Sequence, residues 1–282
     1  MKPRAGVLAL TVLAMLAFAG NSLLCRLALK TTGIDAASFT ALRLVSGALV
    51  LYAIVRQRGT TGTGSWLSAL ALFVYAAAFS LAYIQLSAAT GALILFGVVQ
   101  FTMAAHGFAK GERLGARQAL GWVIAIGGLV VLLMPGLLAP SPQGAALMTA
   151  AGIAWGIYSL RGKSAGDPVR ETAGNFIKSV PYALLLMAAA AGLHAPITWD
   201  GAGIAYALVS GALTSGVGYV IWYAAVKHLR ATSAASVQLS VPAIAAVGGV
   251  ALLGEPISWT LALSCAAILG GVALSVLSRR PG

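Results

Sequence analysis

The feature that most constrains this chain is a succession of long apolar runs without charges. Residues 6–25 carry no charged side chain, and comparable runs recur to the end of the sequence. Runs of 18 or more such residues are long enough to cross a bilayer as helices. Backbone inside lipid must satisfy its own hydrogen bonds, so spanning segments are helices or closed barrels. The runs here are continuously apolar rather than alternating, which selects helices. Composition agrees: 60% of residues are hydrophobic and only 9% are charged, against about 25% charged in soluble domains. A formal net charge of +12 does not point to nucleic acid, because the basic residues are scattered through short loops. A basic face toward an anionic leaflet accounts for them better.

Reading along the chain predicts ten spans: 6–25, 36–55, 66–85, 88–108, 115–134, 144–161, 173–192, 203–225, 233–253 and 259–277. The first resembles a signal sequence, with Lys2 and Arg4 ahead of an apolar run and Ala17-Phe18-Ala19 after it. It is read as a retained helix, because the run continues to Leu29. With the N-terminus placed in the cytoplasm, fourteen of the eighteen Lys and Arg fall on that side. Only Arg26 and Lys30 face away, and Arg43 and Lys178 lie within spans. This bias supports both the span count and the orientation, with the two termini cytoplasmic. Glycine suits the close approach of membrane helices, and Gly121, Gly127, Gly128, Gly211, Gly216, Gly270 and Gly271 are the packing candidates. Cys25 and Cys265, both in apolar segments, read as small core residues.

The two halves repeat. Gly111-Glu112-Arg113-Leu114 corresponds to Gly254-Glu255-Pro256-Ile257, and each glutamate precedes a glycine pair, Gly127-Gly128 or Gly270-Gly271, at one common offset. The same offset places Phe79 on Trp222 and Ala88 on Ala231. Ala19-Gly20 corresponds to Trp155-Gly156, and Arg43 to Lys178 within a residue. The chain therefore divides into residues 1–138 and 139–282, with Pro135 to Pro142 as the connection. Five is odd, so two five-helix units in one chain must lie upside-down to each other. Inverted repeats are the architecture of many secondary transporters, whose substrate site lies at mid-membrane between the halves.

Five motifs carry a family resemblance: Phe18-Ala19-Gly20-Asn21, Thr40-Ala41-Leu42-Arg43, Gly111-Glu112-Arg113-Leu114, Ala154-Trp155-Gly156-Ile157-Tyr158 and Gly254-Glu255-Pro256. In order, and in both halves, they resemble the EamA-type members of the drug/metabolite transporter superfamily, and within it the bacterial amino-acid exporters of the YddG kind. Ala19 departs from the pattern, where the family often has Trp. The resemblance implies a multi-pass carrier of the bacterial inner membrane, with a cavity lined by helices 1, 3, 4, 6, 8 and 9, alternating access, and efflux of metabolites such as amino acids.

Candidate cavity residues fall into two groups. The first is aromatic: Tyr75, Phe79 and Tyr83, four apart on one face of span 3, and Tyr219, Trp222 and Tyr223 at related positions in span 8, with Trp155 from the span 6 motif. They line a cavity on one reading and form interfacial belts or ordinary packing on the other. The second is polar: Asn21, Ser22, Gln100, Tyr158, Gln238 and Ser240, with Phe96 beside Gln100 and Pro242 beside Gln238. Polar groups within a span need partners or water. They bind the two ends of a zwitterion or bond between helices. Pro181 and Pro242 are expected to kink their spans. Arg43 and Lys178 read as structural, reaching loop carbonyls near helix ends, with attraction of a carboxylate as the other reading. Glu112 and Glu255 read as caps at the starts of spans 5 and 10, with proton coupling as the other reading.

No span carries a central acid for a proton relay, and His106, His194 and His228 fall near span ends. A facilitator or exchanger without proton coupling is consistent with this, and the expectation is a secondary transporter of small metabolites without cofactor or metal, its oligomeric state left open and a monomer compatible with the sequence. Nucleotide sugars or drugs are alternative cargoes. An integral-membrane enzyme or scaffold is the alternative class, but no acid, base or metal-ligand cluster supports an enzyme.

Overall fold

The structure is a computed structural model describing residues 3–111, 115–134, 140–162, 166–229 and 237–277. For residues 3–5, 276 and 277 it describes the backbone alone. Lys2, Glu112, Arg113, Leu114, Pro135 and Ala231, named above, lie outside the described residues, as do Lys163, Arg230, Arg279 and Arg280 among the basic residues counted there.

Among the described residues the protein is all-α, with ten helices: α1 Pro3–Thr31, α2 Ala36–Gln57, α3 Trp66–Tyr83, α4 Ala88–Ala109, α5 Ala116–Leu133, α6 Pro142–Gly162, α7 Pro168–Gly192, α8 Gly201–Val226, α9 Ser240–Leu253 and α10 Trp259–Leu277. Each overlaps one predicted span. Seven of them (α1 to α5, α7 and α8) are long and apolar enough to cross a membrane, and α9 and α10 are shorter apolar helices. Large apolar side chains such as Leu8, Val123, Leu185, Val247 and Leu263 stand exposed on the outside of the bundle, which suits hydrocarbon rather than water.

The helix ends correct several expectations. α1 runs past residue 25 because Arg26 and Lys30 are helical residues rather than loop charges. Arg26 Nε meets Glu255 Oε1 at 3.0 Å, its Nη1 donates to the carbonyls of Tyr83 and Ile84, and Lys30 Nζ donates to Leu253 O. Glu255 does not cap α10. Its second oxygen accepts the backbone N–H of Ala88 at 2.8 Å, so it caps α4, and it is 6% exposed. α7 starts at Pro168, whose missing N–H is harmless in a first turn, with Asp167 accepting from the N–H groups of Val169 and Arg170. Pro181 lies inside α7. Pro242 sits in the first turn of α9, and the helical residues Val237 and Gln238 before it are set off by a turn at Leu239, so span 9 is interrupted where the proline N–H is missing, as expected. Lys178 reaches loop carbonyls as read, donating to Thr63 O and Gly64 O.

Packing follows glycine and alanine. α5 lies along α10, α3 along α6, α2 along α7, and α1 against α8 and α9. A Cβ on Gly128 would meet Ala267 and Ile268, and one on Gly271 would meet the backbone of Gly121 and Ala125. Gly127 and Gly270 have no such neighbour, so only the second glycine of each pair serves the contact.

Asp35 shows how a loop end is secured. Its Oδ1 accepts the N–H groups of Ala37 and Ser38, and its Oδ2 accepts the Ser38 hydroxyl and the N–H of Thr198. One carboxylate thus caps α2 and ties it to the segment leading into α8. Burial pushes its pKa up, but these hydrogen bonds outweigh burial and hold it below the ordinary carboxylate value. A lowered folded-state pKa contributes stability that is fully present above the unfolded value of about 3.9. That stability is lost as pH falls through the lower folded value. Asp35→Ala should cost about 1 kcal/mol at pH 7, measured by thermal unfolding in detergent. Its stability should also depend less on pH below about pH 4 than that of the parent.

Candidate functional site

The site begins with a local irregularity in α8. Residues Ser210–Val217 form a π-helical segment inside the longer α-helix, a rare geometry that occurs often at functional sites. Its sequence, Ser-Gly-Ala-Leu-Thr-Ser-Gly-Val, is mostly small. A Cβ on Gly211 would collide with the carbonyl of Arg43 and the hydroxyl of Ser46, so α8 presses directly onto α2. Gly47, on the facing helix, would strike Phe176 in the same way. The close approach and the widened turn deliver three hydroxyls to the interior. Ser210 Oγ donates to Asn21 Oδ1 at 2.7 Å, Thr214 Oγ1 approaches the same oxygen at 3.4 Å, and Ser215 Oγ accepts from Arg43 Nε at 3.2 Å.

Arg43 is where the structure departs furthest from expectation. Counting residues places it near a helix end, reaching toward loop carbonyls. Instead it is 1% exposed and lies in the helix bundle's interior. Its Nη2 donates to the Tyr75 hydroxyl at 3.1 Å, and its guanidinium carbon lies 5.1 Å from the centres of both the Tyr75 and the Phe79 rings. Such faces attract a cation. Asn21 Nδ2 also donates to the Tyr75 oxygen, at 3.2 Å. The third guanidinium nitrogen, Nη1, has no hydrogen-bond partner. Among the described residues the ion pair is Arg26 with Glu255, and no described acid neutralises Arg43.

Around this core lies a void lined by Phe18, Asn21 and Ser22 from α1, Tyr75 and Phe79 from α3, Leu95 and Phe96 from α4, Trp155 from α6, and Thr214 and Tyr219 from α8. Its walls are aromatic. Trp155 lies 4.8 Å from Tyr75 and 5.0 Å from Tyr219, centre to centre, and Phe18 closes edge-on against Trp155 and Tyr219. The void is small, with room for roughly one water molecule.

Seven of the predicted residues meet at this void: Asn21, Ser22, Tyr75, Phe79, Phe96, Trp155 and Tyr219. Six do not line it. Tyr83 stands behind Phe79, ring centres 4.7 Å apart, and Tyr158 stacks on Trp155 at 5.5 Å. Trp222 packs against Phe18 at 5.8 Å. Gln100 is buried elsewhere along α4, Gln238 is half-buried before α9 and Pro242 is buried within it. α9 therefore supplies none of the lining residues, although the resemblance implied a helix 9 contribution. The sequence reading missed Thr214 and Leu95 and misjudged Arg43. A run of small hydroxyl residues within a span signals Thr214, whereas nothing distinguishes Leu95 from other apolar positions.

The sequence profile of the EamA-like transporter family matches residues 142–277. An uncharacterized protein of Pseudomonas aeruginosa is 55% identical over 280 residues, covering 98% of this chain and 96% of its own length. An uncharacterized transporter of Archaeoglobus fulgidus is 28% identical over 284 residues, covering 94% of this chain and 96% of its own. A protein of known crystal structure is similar in fold, with a TM-score of 0.66 at 21% identity over 96% of this chain and 99% of that one.

The contact of α8 on α2 generates a prediction. Gly211→Ala should force the two helices apart, cost about 1–3 kcal/mol and lower the unfolding temperature in detergent. Gly127→Ala, which meets no neighbour, should leave it unchanged or slightly higher.

Proposed function

The chain belongs to the EamA-like transporter family, and from that premise we propose that it is a secondary carrier that exports small metabolites by alternating access, with aromatic and other neutral amino acids as cargo. The observation that carries the proposal is the void: an aromatic chamber with a few convergent polar groups, formed where α1, α3 and α4 meet α6 and α8. Binding sites of this kind are mostly apolar, with a small number of placed polar groups that fix orientation. Trp155, Tyr219 and Phe18 offer faces for an apolar side chain, while Asn21, Tyr75 and Thr214 offer hydrogen bonds to its polar end.

An inverted pair of five-helix units, residues 1–138 and 139–282, supplies the moving parts in this reading. The packing supports it. If each helix of the first five is exchanged with the one five places later, the contact of α3 with α6 becomes that of α8 with α1. Likewise α4 on α6 becomes α9 on α1, and α3 on α7 becomes α8 on α2. The pairs α2–α7, α4–α9 and α5–α10 map onto themselves, and all of these contacts occur. Residue contacts follow the same rule: Gly128 meets Ile268 and Gly271 meets Ala125, as the offset between the glycine pairs requires. Both termini are cytoplasmic in this reading, and the Arg26–Glu255 tie lies at the outer end. The bacterial relative and the basic-residue bias support an inner-membrane location.

Opening the void to either side takes a rearrangement of these helix pairs, because the space seen here holds about one water. A nucleotide sugar fits the site less well, since two phosphates would call for more cationic donors than one arginine provides. The resemblance to exporters of the YddG kind favours amino acids as well.

The test is counterflow. Proteoliposomes preloaded with unlabelled amino acids should take up labelled tryptophan, threonine or leucine in an accelerated, saturable way. Trp155→Ala should raise KM roughly two- to tenfold, the worth of a lost aromatic contact. Absence of exchange for every amino acid, with folded protein, would turn the assignment toward other metabolites.

A further inference from the structure

The Tyr75 hydroxyl is the polar group best placed to meet a ligand. A phenol oxygen has two acceptor sites and one hydrogen to give. Here both acceptor sites are engaged, by Asn21 Nδ2 and Arg43 Nη2, and the residue lines the void. Its own hydrogen is therefore left to donate. The oxygen is polarised by a guanidinium charge that is 1% exposed and has no described acid beside it. Arg43 Nη1 also lacks a partner, and the guanidinium carbon lies against the Tyr75 and Phe79 rings. A permanent cation buried in this way calls for a negative charge, and the wall offers none.

We propose that the void contains a carboxylate subsite, in which the Tyr75 O–H donates to a carboxylate of the transported metabolite while Arg43, held by Ser215 and the two aromatic rings, supplies the compensating positive charge. This rests on the carrier reading above and narrows its cargo to organic acids, including the acid end of an amino acid. Arg43 is a positioning residue as well as a counter-charge, since it holds the Tyr75 oxygen on the side away from the ligand. The ammonium of a zwitterion then lies away from Arg43, toward the faces of Trp155, Phe18 and Tyr219, where cations are tolerated.

Matched acid and amide pairs test this on the full-length protein in nanodiscs, with binding followed by Trp fluorescence and thermal shift. The probes are phenylalanine, leucine, 3-phenylpropionate and 4-methylpentanoate, each against its primary amide. The parent protein should bind at least one acid roughly tenfold or more tighter than its amide, as a charge-assisted hydrogen bond requires. Arg43→Gln and Tyr75→Phe should each bring that ratio toward one, and Arg43→Lys should retain part of it. Loss of packing alone would weaken acid and amide alike and leave the ratio unmoved. The proposal is overturned if no acid binds, if amides bind as well as acids, or if the ratio survives in both folded variants. Should neither variant fold, the parent ratio decides. Amino-acid exchange without acid–amide discrimination would remove the subsite and leave the carrier. Discrimination among the des-amino acids without amino-acid exchange would keep the subsite and change the cargo.

Discussion

A guanidinium in the middle of an apolar bundle dominates the design of this protein. Removing a cation from water costs several kcal/mol even after the surroundings relax, and lipid on every side of the bundle offers no relief. The fold answers with Ser215, the Tyr75 hydroxyl, and the faces of Tyr75 and Phe79. Each partner has its own structural requirement. Ser215 arrives because α8 relaxes into a π-helical segment, and that segment reaches α2 because position 211 is glycine. Tyr75 is held in turn by Asn21, which α8 steadies through Ser210. Four helices are thus arranged around one charge.

The ends of the bundle contrast with its centre. Where α1 and α3 end, Arg26 joins Glu255 and two carbonyls, and Glu255 closes the first turn of α4. Toward the other end, Lys178, Asn175 and Arg170 hold the 61–65 loop through its backbone. These ties are polar, local and made largely to backbone groups. The middle is packed by aromatic rings around a small void. In the carrier proposed above, end contacts would exchange while the central charge and rings stay together, as alternating access asks of a fixed site.

Much was legible in advance because membrane helices announce themselves. Apolar runs, short connections and the distribution of Lys and Arg place ten helices within a few residues, since lipid leaves the backbone no other way to satisfy its hydrogen bonds. The repeated glycine pairs are visible as well, although only neighbours in space distinguish Gly128 and Gly271, which are in contact, from Gly127 and Gly270, which are not. The aromatic face of α3 and the Asn21 and Trp155 motifs point to the void, because residues spaced four apart share a helix face.

Other features arise only when helices distant in sequence meet. Glu255 reads as a cap for the helix that follows it, yet it serves α4, because the fold brings its carboxylate against the N–H of Ala88. Arg43 reads as close to a helix end by counting residues, but depth depends on what packs around it, and α8 buries it. Trp222 occupies the position equivalent to Phe79, yet it packs behind Phe18 while Phe79 faces the void. The sequence by itself determined the helices, their number and the apolar exterior, through rules that act over one or two helical turns. The tertiary structure decided which polar groups are partnered, which rings face the void and where the unneutralised charge lies, because these depend on contacts between helices that no local pattern encodes.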